Sequence, residues 1–161
     1  ADMILFNVPI HKKNGETRVK VRKNGRVRFV NALKYGTVNI AFKREVILKK
    51  NILFSLLFGG GARYGSGEDS IFITDALKNK LKIYSSTAVI AEIYHEGSTW
   101  FEGFNEKYLY DRGALYKAIG GRNAIFLNLQ FVIRHRRLYK TNFGMLEAFK
   151  IMMNGSKDFN N

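Results

Sequence analysis

Hydrophobic positions along the chain mark strands with one or two helices among them, followed by helices in the last third. Residues 3–10 form a short apolar run, Met3-Ile4-Leu5-Phe6 onward, with Pro9, the sole proline, near its end, and predict a buried strand. Thr17, Val19 and Val21 alternate with Arg18, Lys20 and Arg22, the pattern of a half-exposed strand. Asn14-Gly15 and Asn24-Gly25 supply turns around it, so a hairpin is expected there. Residues 38–42 predict a further strand and 43–50 a short helix, while 52–58 is apolar without an assignable period. After a glycine-rich stretch, Ile71, Phe72, Ala76 and Leu77 recur at helical spacing behind Glu68-Asp69. Residues 81–84 and 88–94 predict strands and 95–100 a loop. Helices are predicted over 105–119, stopping at Gly120-Gly121, over 124–140 and over 143–153. No repeat or linker interrupts this order. It predicts one α/β domain spanning residues 1–161, with helices at the C-terminus and a flexible polar tail at 154–161.

Composition narrows the class. At 161 residues and 18.5 kDa the chain is long enough to bury a core, and 46% apolar with 25% charged residues excludes a disordered or low-complexity polymer. Lys and Arg number 27 against 13 Asp and Glu, a net charge of +14, which calls for an anionic partner such as nucleic acid, a phosphorylated ligand or an anionic membrane surface. Eight of these cations lie between His11 and Arg28 against the single acid Glu16. A solvated, aggregation-resistant strand edge would need the same residues. The absence of cysteine excludes disulfides, thiolate metal sites and cysteine nucleophiles. No apolar stretch reaches membrane-spanning length and no signal peptide opens the chain. Ala1-Asp2 runs at once into the apolar segment, which reads as an excerpt from a longer protein.

Four features carry candidate chemistry. Gly59-Gly60-Gly61, followed by Ala62-Arg63-Tyr64-Gly65-Ser66-Gly67, could bring backbone N–H groups close to a phosphate. It is neither a dinucleotide fingerprint, since position 64 is Tyr, nor a Walker motif, since no Gly-Lys-Ser/Thr occurs. Glu68 and Asp69 stand where the helix dipole favours acids, and beside such a loop a carboxylate could also serve as a general base. His95 ends a predicted strand; imidazole is a good divalent-metal ligand, but one histidine makes no site. His11 and His135, in basic surroundings, read as surface residues. Trp100, the sole tryptophan, lies in a polar loop and could offer its face to a sugar or base.

Taken in order, Gly67-Glu68-Asp69-Ser70-Ile71-Phe72, Leu81-Lys82-Ile83-Tyr84, His95-Glu96-Gly97-Ser98-Thr99-Trp100-Phe101 and Tyr110-Asp111-Arg112-Gly113-Ala114-Leu115 resemble the C-terminal, acceptor-side half of bacterial family 2 glycosyltransferases. The resemblance runs from about Met3 to Gly155. It implies a partial GT-A fold, a mixed sheet with C-terminal helices, and a role in surface polysaccharide or cell-wall glycan synthesis. It implies that Asp69 is the base that deprotonates the acceptor hydroxyl and that Glu68 contacts the acceptor or supports the site. Gly59, Gly60, Gly61 and Arg63 correspond to the loop near donor and acceptor. Ser98, Thr99 and Trp100 correspond to the acceptor side, and His95 to a histidine that helps hold the metal or the diphosphate. The implied cofactors are a divalent metal, Mn or Mg, and a nucleotide-sugar donor, with a glycan or lipid-linked acceptor and inversion at the sugar.

The family's nucleotide-binding half carries an Asp-x-Asp motif, and none occurs in these 161 residues. The expectation is therefore an acceptor-side half that is inactive without its N-terminal, donor-side half, and that could self-associate through an exposed sheet edge. The basic end of the helix at 124–140, with Arg134, Arg136, Arg137 and Lys140, could lie on an anionic membrane, which points to the cytoplasm at the inner membrane face. The alternatives are a basic nucleic-acid-binding module and a non-catalytic peripheral membrane domain. Nucleic acid is the less favoured partner, because no RNA-binding or zinc motif is present.

Overall fold

The computed structural model describes residues 1–95 and 103–159; at His95 it describes the backbone alone. The chain is mixed α/β and divides into two compact units, Ala1–Phe54 with Asp69–Ser98, and Ser55–Glu68 with Thr99–Asn161.

The first unit holds two mixed sheets. Its elements are β1 (Met3–Asn7), β2 (Ile10–Lys12), β3 (Thr17–Arg18), β4 (Gly25–Arg26), α1 (Phe29–Ala32), β5 (Ile40–Phe42), α2 (Arg44–Lys49), α3 (Glu68–Lys78, whose first residue falls in the second unit), β6 (Ile83–Val89) and β7 (Ile93–His95). One sheet has the order β4-β6-β1-β5 and the other β3-β2-β7. β1 runs parallel to β6, with Met3 opposite Ile83 and Leu5 opposite Ser85, and antiparallel to β5. β2 runs parallel to β7 and antiparallel to β3. Alternation on β1 sends Met3 and Leu5 inward against Phe72, Ile73 and Ala76 of α3, with Val21, Val27, Tyr35 and Ile83 completing the core. The edge strands β4 and β5 have only two and three residues, short for pairing with another chain.

The expected strand over 3–10 is two strands in different sheets. Pro9 has no N–H to donate, so the ladder breaks at Val8-Pro9 and resumes beside β7. The expected alternating strand through Val21 ends at Arg18. Val19 remains 39% exposed, while Val21 turns into the core and its N–H donates to Asn7 Oδ1 at 3.4 Å. Residues 83–89 form one continuous strand where the sequence pattern suggested a gap after Tyr84.

The second unit comprises the loop Ser55–Glu68 and the helices α4 (Glu106–Gly120), α5 (Ala124–Arg134), α6 (Arg136–Tyr139) and α7 (Met145–Asp158). Asn105 caps α4, its Oδ1 accepting the Tyr108 N–H at 2.8 Å, and Gly121, with φ 54°, ends it. The helix expected over 124–140 breaks at His135. The break returns Tyr139 to full burial, where its hydroxyl donates to the Val132 carbonyl. Leu109, Phe131, Val132, Ala148 and Met152 form the core around it. Where a flexible tail was expected, residues 154–158 continue α7, and Gly155 and Ser156 are buried. The reason is close helix packing. Gly113 faces the Met152 carbonyl, Gly155 faces the Tyr110 carbonyl, and Ser156 Oγ donates to the Gly113 carbonyl at 2.7 Å.

Candidate functional site

Asp69 lies in the first turn of α3, half-buried, in the first unit. Its surroundings follow from a glycine. Around the point where Gly36 would carry a Cβ stand Asp69 Oδ2 at 3.4 Å, Lys20 Nζ at 3.6 Å and Asn39 Oδ1 at 3.9 Å. Any larger residue would fill the space these three groups share. Gly36 has an ordinary φ of −114° and these contacts are of ordinary van der Waals length, so the fold does not demand glycine here, but a side chain would take up the shared space.

Asn39 is the rigid member. It has no exposed surface, and it sits in the short 3₁₀ turn Thr37–Asn39. Its Nδ2 donates to the Phe6 carbonyl at 2.9 Å, and its Oδ1 accepts the Gly36 N–H at 3.0 Å. It thereby fastens the Gly36 turn to the carboxyl end of β1. In sheets with parallel strands, ligands tend to bind outside these strand ends, and β1 is parallel to β6. Lys20 is half-buried; burial pulls its amine below the ordinary lysine value, and the Asp69 charge opposes the fall. A carboxylate and an ammonium thus face each other around an open point of backbone, an arrangement that can hold a hydroxyl and take its proton.

Glu68 belongs to the second unit and does a different job. Its carboxylate packs on Gly59, 3.3 Å from where a Cβ would stand, and accepts the Gly67 N–H at 3.0 Å. It is a brace for the glycine loop. That loop closes on itself: Gly59 N–H donates to the Tyr64 carbonyl at 2.9 Å, Tyr64 N–H to Leu57 at 3.0 Å and Ala62 N–H to Gly59 at 3.1 Å. Gly65 N–H donates to Asp111 Oδ2 at 2.9 Å, and Asp111 is paired with Lys107 at 2.6 Å. The N–H groups of Gly59, Ala62, Tyr64, Gly65 and Gly67 are thus bonded within the protein. Gly60 and Gly61 are exposed, with no atom within 4 Å of a Cβ built on either, and the exposed Arg63 guanidinium lies over the Tyr64 ring at 5.4 Å. Gly67, with φ 125° and Leu115 carbons 2.7 and 2.9 Å from a notional Cβ, has room for no side chain.

His95 pairs through its backbone with Lys12 at the end of β7. Ser98, Thr99 and Trp100 lie outside the described residues. Among the described residues, no group of three His, Asp or Glu side chains could hold a metal ion. His11 stacks on Tyr94 at 4.8 Å, and His135 packs on Phe131 at 4.8 Å; neither is a purely solvated residue. Lys20, Gly36 and Asn39 escaped sequence reasoning. Lys20 sat within a charge run and Asn39 within an apolar one, and only the turn at Gly36 joins them to Asp69. Comparison with protein-family models, curated proteins and solved structures finds no match, so the chain's own residues carry the argument.

Proposed function

We propose that this chain is the acceptor-side half of a sugar-nucleotide-dependent glycosyltransferase of bacterial family 2, acting in surface polysaccharide or cell-wall glycan synthesis. The observation that carries it is the meeting of Asp69, Lys20 and Asn39 around Gly36 at the carboxyl end of a parallel strand. A mixed sheet with its parallel pair at the centre suits a partial GT-A fold. In this reading the Asp69 carboxylate takes the proton of an acceptor hydroxyl. The oxygen attacks the anomeric carbon, the bond to the nucleoside diphosphate breaks, and the diphosphate leaves with the electron pair. The Lys20 ammonium faces the same point of backbone as that carboxylate, and Asn39 fixes the turn that keeps the acceptor's approach open. The donor and its divalent metal belong to a donor-side half carrying Asp-x-Asp. The described residues of this chain do not provide a metal's ligands, and no step here is routed through one.

The test is transfer by the enzyme assembled with its donor-side half, using a panel of UDP-, GDP- and dTDP-sugars. Asp69→Asn should lower turnover by a factor of about 100 to 10,000 while leaving the unfolding midpoint unchanged. Near-normal transfer by that variant rules the assignment out.

One observation favours an anionic membrane as a partner of the same enzyme. No helix of the described residues is long and apolar enough to cross a membrane. On α5, however, Ile125, Phe126, Leu129 and Ile133 are 46–69% exposed along one side, and Arg134, Arg136 and Arg137 follow. An apolar stripe ending in cations suits a helix lying in the plane of the inner membrane face. Vesicles containing phosphatidylserine should carry the protein in flotation, and Phe126→Ser with Ile133→Ser should release it. Equal flotation of the variant, or none by the parent, removes this partner.

A further inference from the structure

The cation run between His11 and Arg28 does not spread evenly over a solvated edge. Lys20, Arg22, Lys23, Arg26 and Lys34 line a single cleft of about 390 Å³ in the first unit, and no carboxylate is among its lining residues. From this convergence we propose that the cleft is a binding site for a diphosphate group, a property that does not depend on the glycosyl-transfer reading.

The cleft is built before any ligand arrives. Ser85 of β6 lines it, its Oγ donating to the Gly25 carbonyl at 3.2 Å and to that of Lys23 at 3.4 Å. Asn24 Oδ1 accepts the Thr87 N–H at 2.7 Å and the Thr87 hydroxyl at 3.1 Å, pinning the turn that carries Lys23. Arg26 stands opposite Tyr84 in the β4–β6 ladder. On the other wall Lys34 Nζ donates to the Lys20 carbonyl at 3.0 Å, so the segment beyond α1 is tied to the segment bearing Lys20. Backbone and amide bonds hold the walls, and the guanidinium groups of Arg22 and Arg26 are exposed.

Size and charge select the ligand. Five cations converge on this cleft, with the Asp69 charge acting on Lys20, and a compact, multiply charged anion best offsets their mutual repulsion. A single carboxylate would neutralise one of the five. A diphosphate carries two to three charges over adjacent tetrahedra and accepts the paired N–H groups of arginine. Lys20 lines the cleft and also feels Asp69, so the diphosphate would lie within reach of the Gly36 site.

The group could come as a soluble diphosphate or as a lipid headgroup. Calorimetry with inorganic pyrophosphate at fixed ionic strength tests the site, and vesicles with and without a polyprenyl diphosphate distinguish the sources. We expect pyrophosphate to bind more tightly than orthophosphate or sulfate. Lys23→Ser and Arg26→Ser, both at exposed positions, should each weaken it by about tenfold, while Lys49→Ser on α2 should not. Diphosphate vesicles that retain the protein and are competed by pyrophosphate assign the headgroup; pyrophosphate binding without such retention assigns the soluble form. Pyrophosphate binding no tighter than sulfate, or unchanged in both cleft variants, overturns the site. So does tight binding of a single-stranded oligonucleotide that depends on Lys23 and Arg26 but is not displaced by pyrophosphate.

Discussion

Replacing Gly113 by alanine puts the packing of the second unit to a quantitative test. In an isolated helix the change would help, because alanine is favoured over glycine by about 1 kcal/mol in a helix interior. Here a methyl group would overlap the carbonyl oxygen of Met152 on α7, a backbone atom that no rotamer change can move. Ordinary contact begins near 3.4 Å, so α4 and α7 must part by more than about 1 Å. Overpacking of this kind costs about 1–3 kcal/mol. Separation also breaks the buried bond from Ser156 Oγ to the Gly113 carbonyl, which is worth about another 1–3 kcal/mol when its groups are left unpaired. After subtracting the helix gain, the net loss is about 3 kcal/mol. Urea unfolding followed by circular dichroism should then show the midpoint of this unit lowered by about 1.5 M. Gly155→Ala should behave alike, since it meets the Tyr110 carbonyl from the other helix. The double variant should lose less than the sum, because helices already parted admit the second methyl more easily. Gly60→Ala, with nothing within 4 Å, is the control. A Gly113→Ala protein as stable as the parent would refute the close crossing of α4 and α7.

Two further outcomes separate the site from the fold and one unit from the other. Gly36→Ala should fold normally, since its φ is ordinary and the nearest atom is 3.4 Å away, yet its methyl would occupy the point that Asp69 and Lys20 share. Transfer by the assembled enzyme should fall at least about tenfold with an unchanged unfolding midpoint, and retained activity would remove the Gly36 site from the chemistry. His135 is held below its ordinary value of 6.5 by burial first, then by Arg134 and Arg112. The unfolded chain therefore binds the proton first, and the stability of the second unit should fall as pH drops below about 6.5, levelling off beneath the folded-state value. His135→Gln should flatten that part of the pH–stability curve, measured by urea midpoints at successive pH values; an unaltered slope counts against the assignment.

Much of the local architecture was legible from residue patterns alone. The helix behind Glu68-Asp69 and the stop at Gly120-Gly121 follow from periods and punctuation that act over a few residues. The mixed α/β class followed from the order of those elements. The places where the reading departs are those where distant residues decide. Nothing near Val21 announces that it leaves an alternating strand to fill a core beneath β1. Nothing in the 124–140 segment marks the break at His135, which brings Tyr139 to full burial with its hydroxyl on the Val132 carbonyl. The polar segment 154–158 is helical because Gly155 and Ser156 meet α4.

The candidate chemistry divides in the same way. Asp69 was visible because an acid at a helix start is a local signal, and the cations of residues 12–28 were visible as a run. Whether those cations form a diffuse edge or one cleft depends on how Ser85, Asn24 and Lys34 tie three segments together, and a sequence carries no distance between them. Gly36 is the clearest case. Its neighbours suggest only a turn, yet Asp69, Lys20 and Asn39 all stand around the point where its side chain would begin. Period, propensity and charge are properties of neighbours along the chain, whereas a site is made of groups whose approach is set by the packing of everything between them.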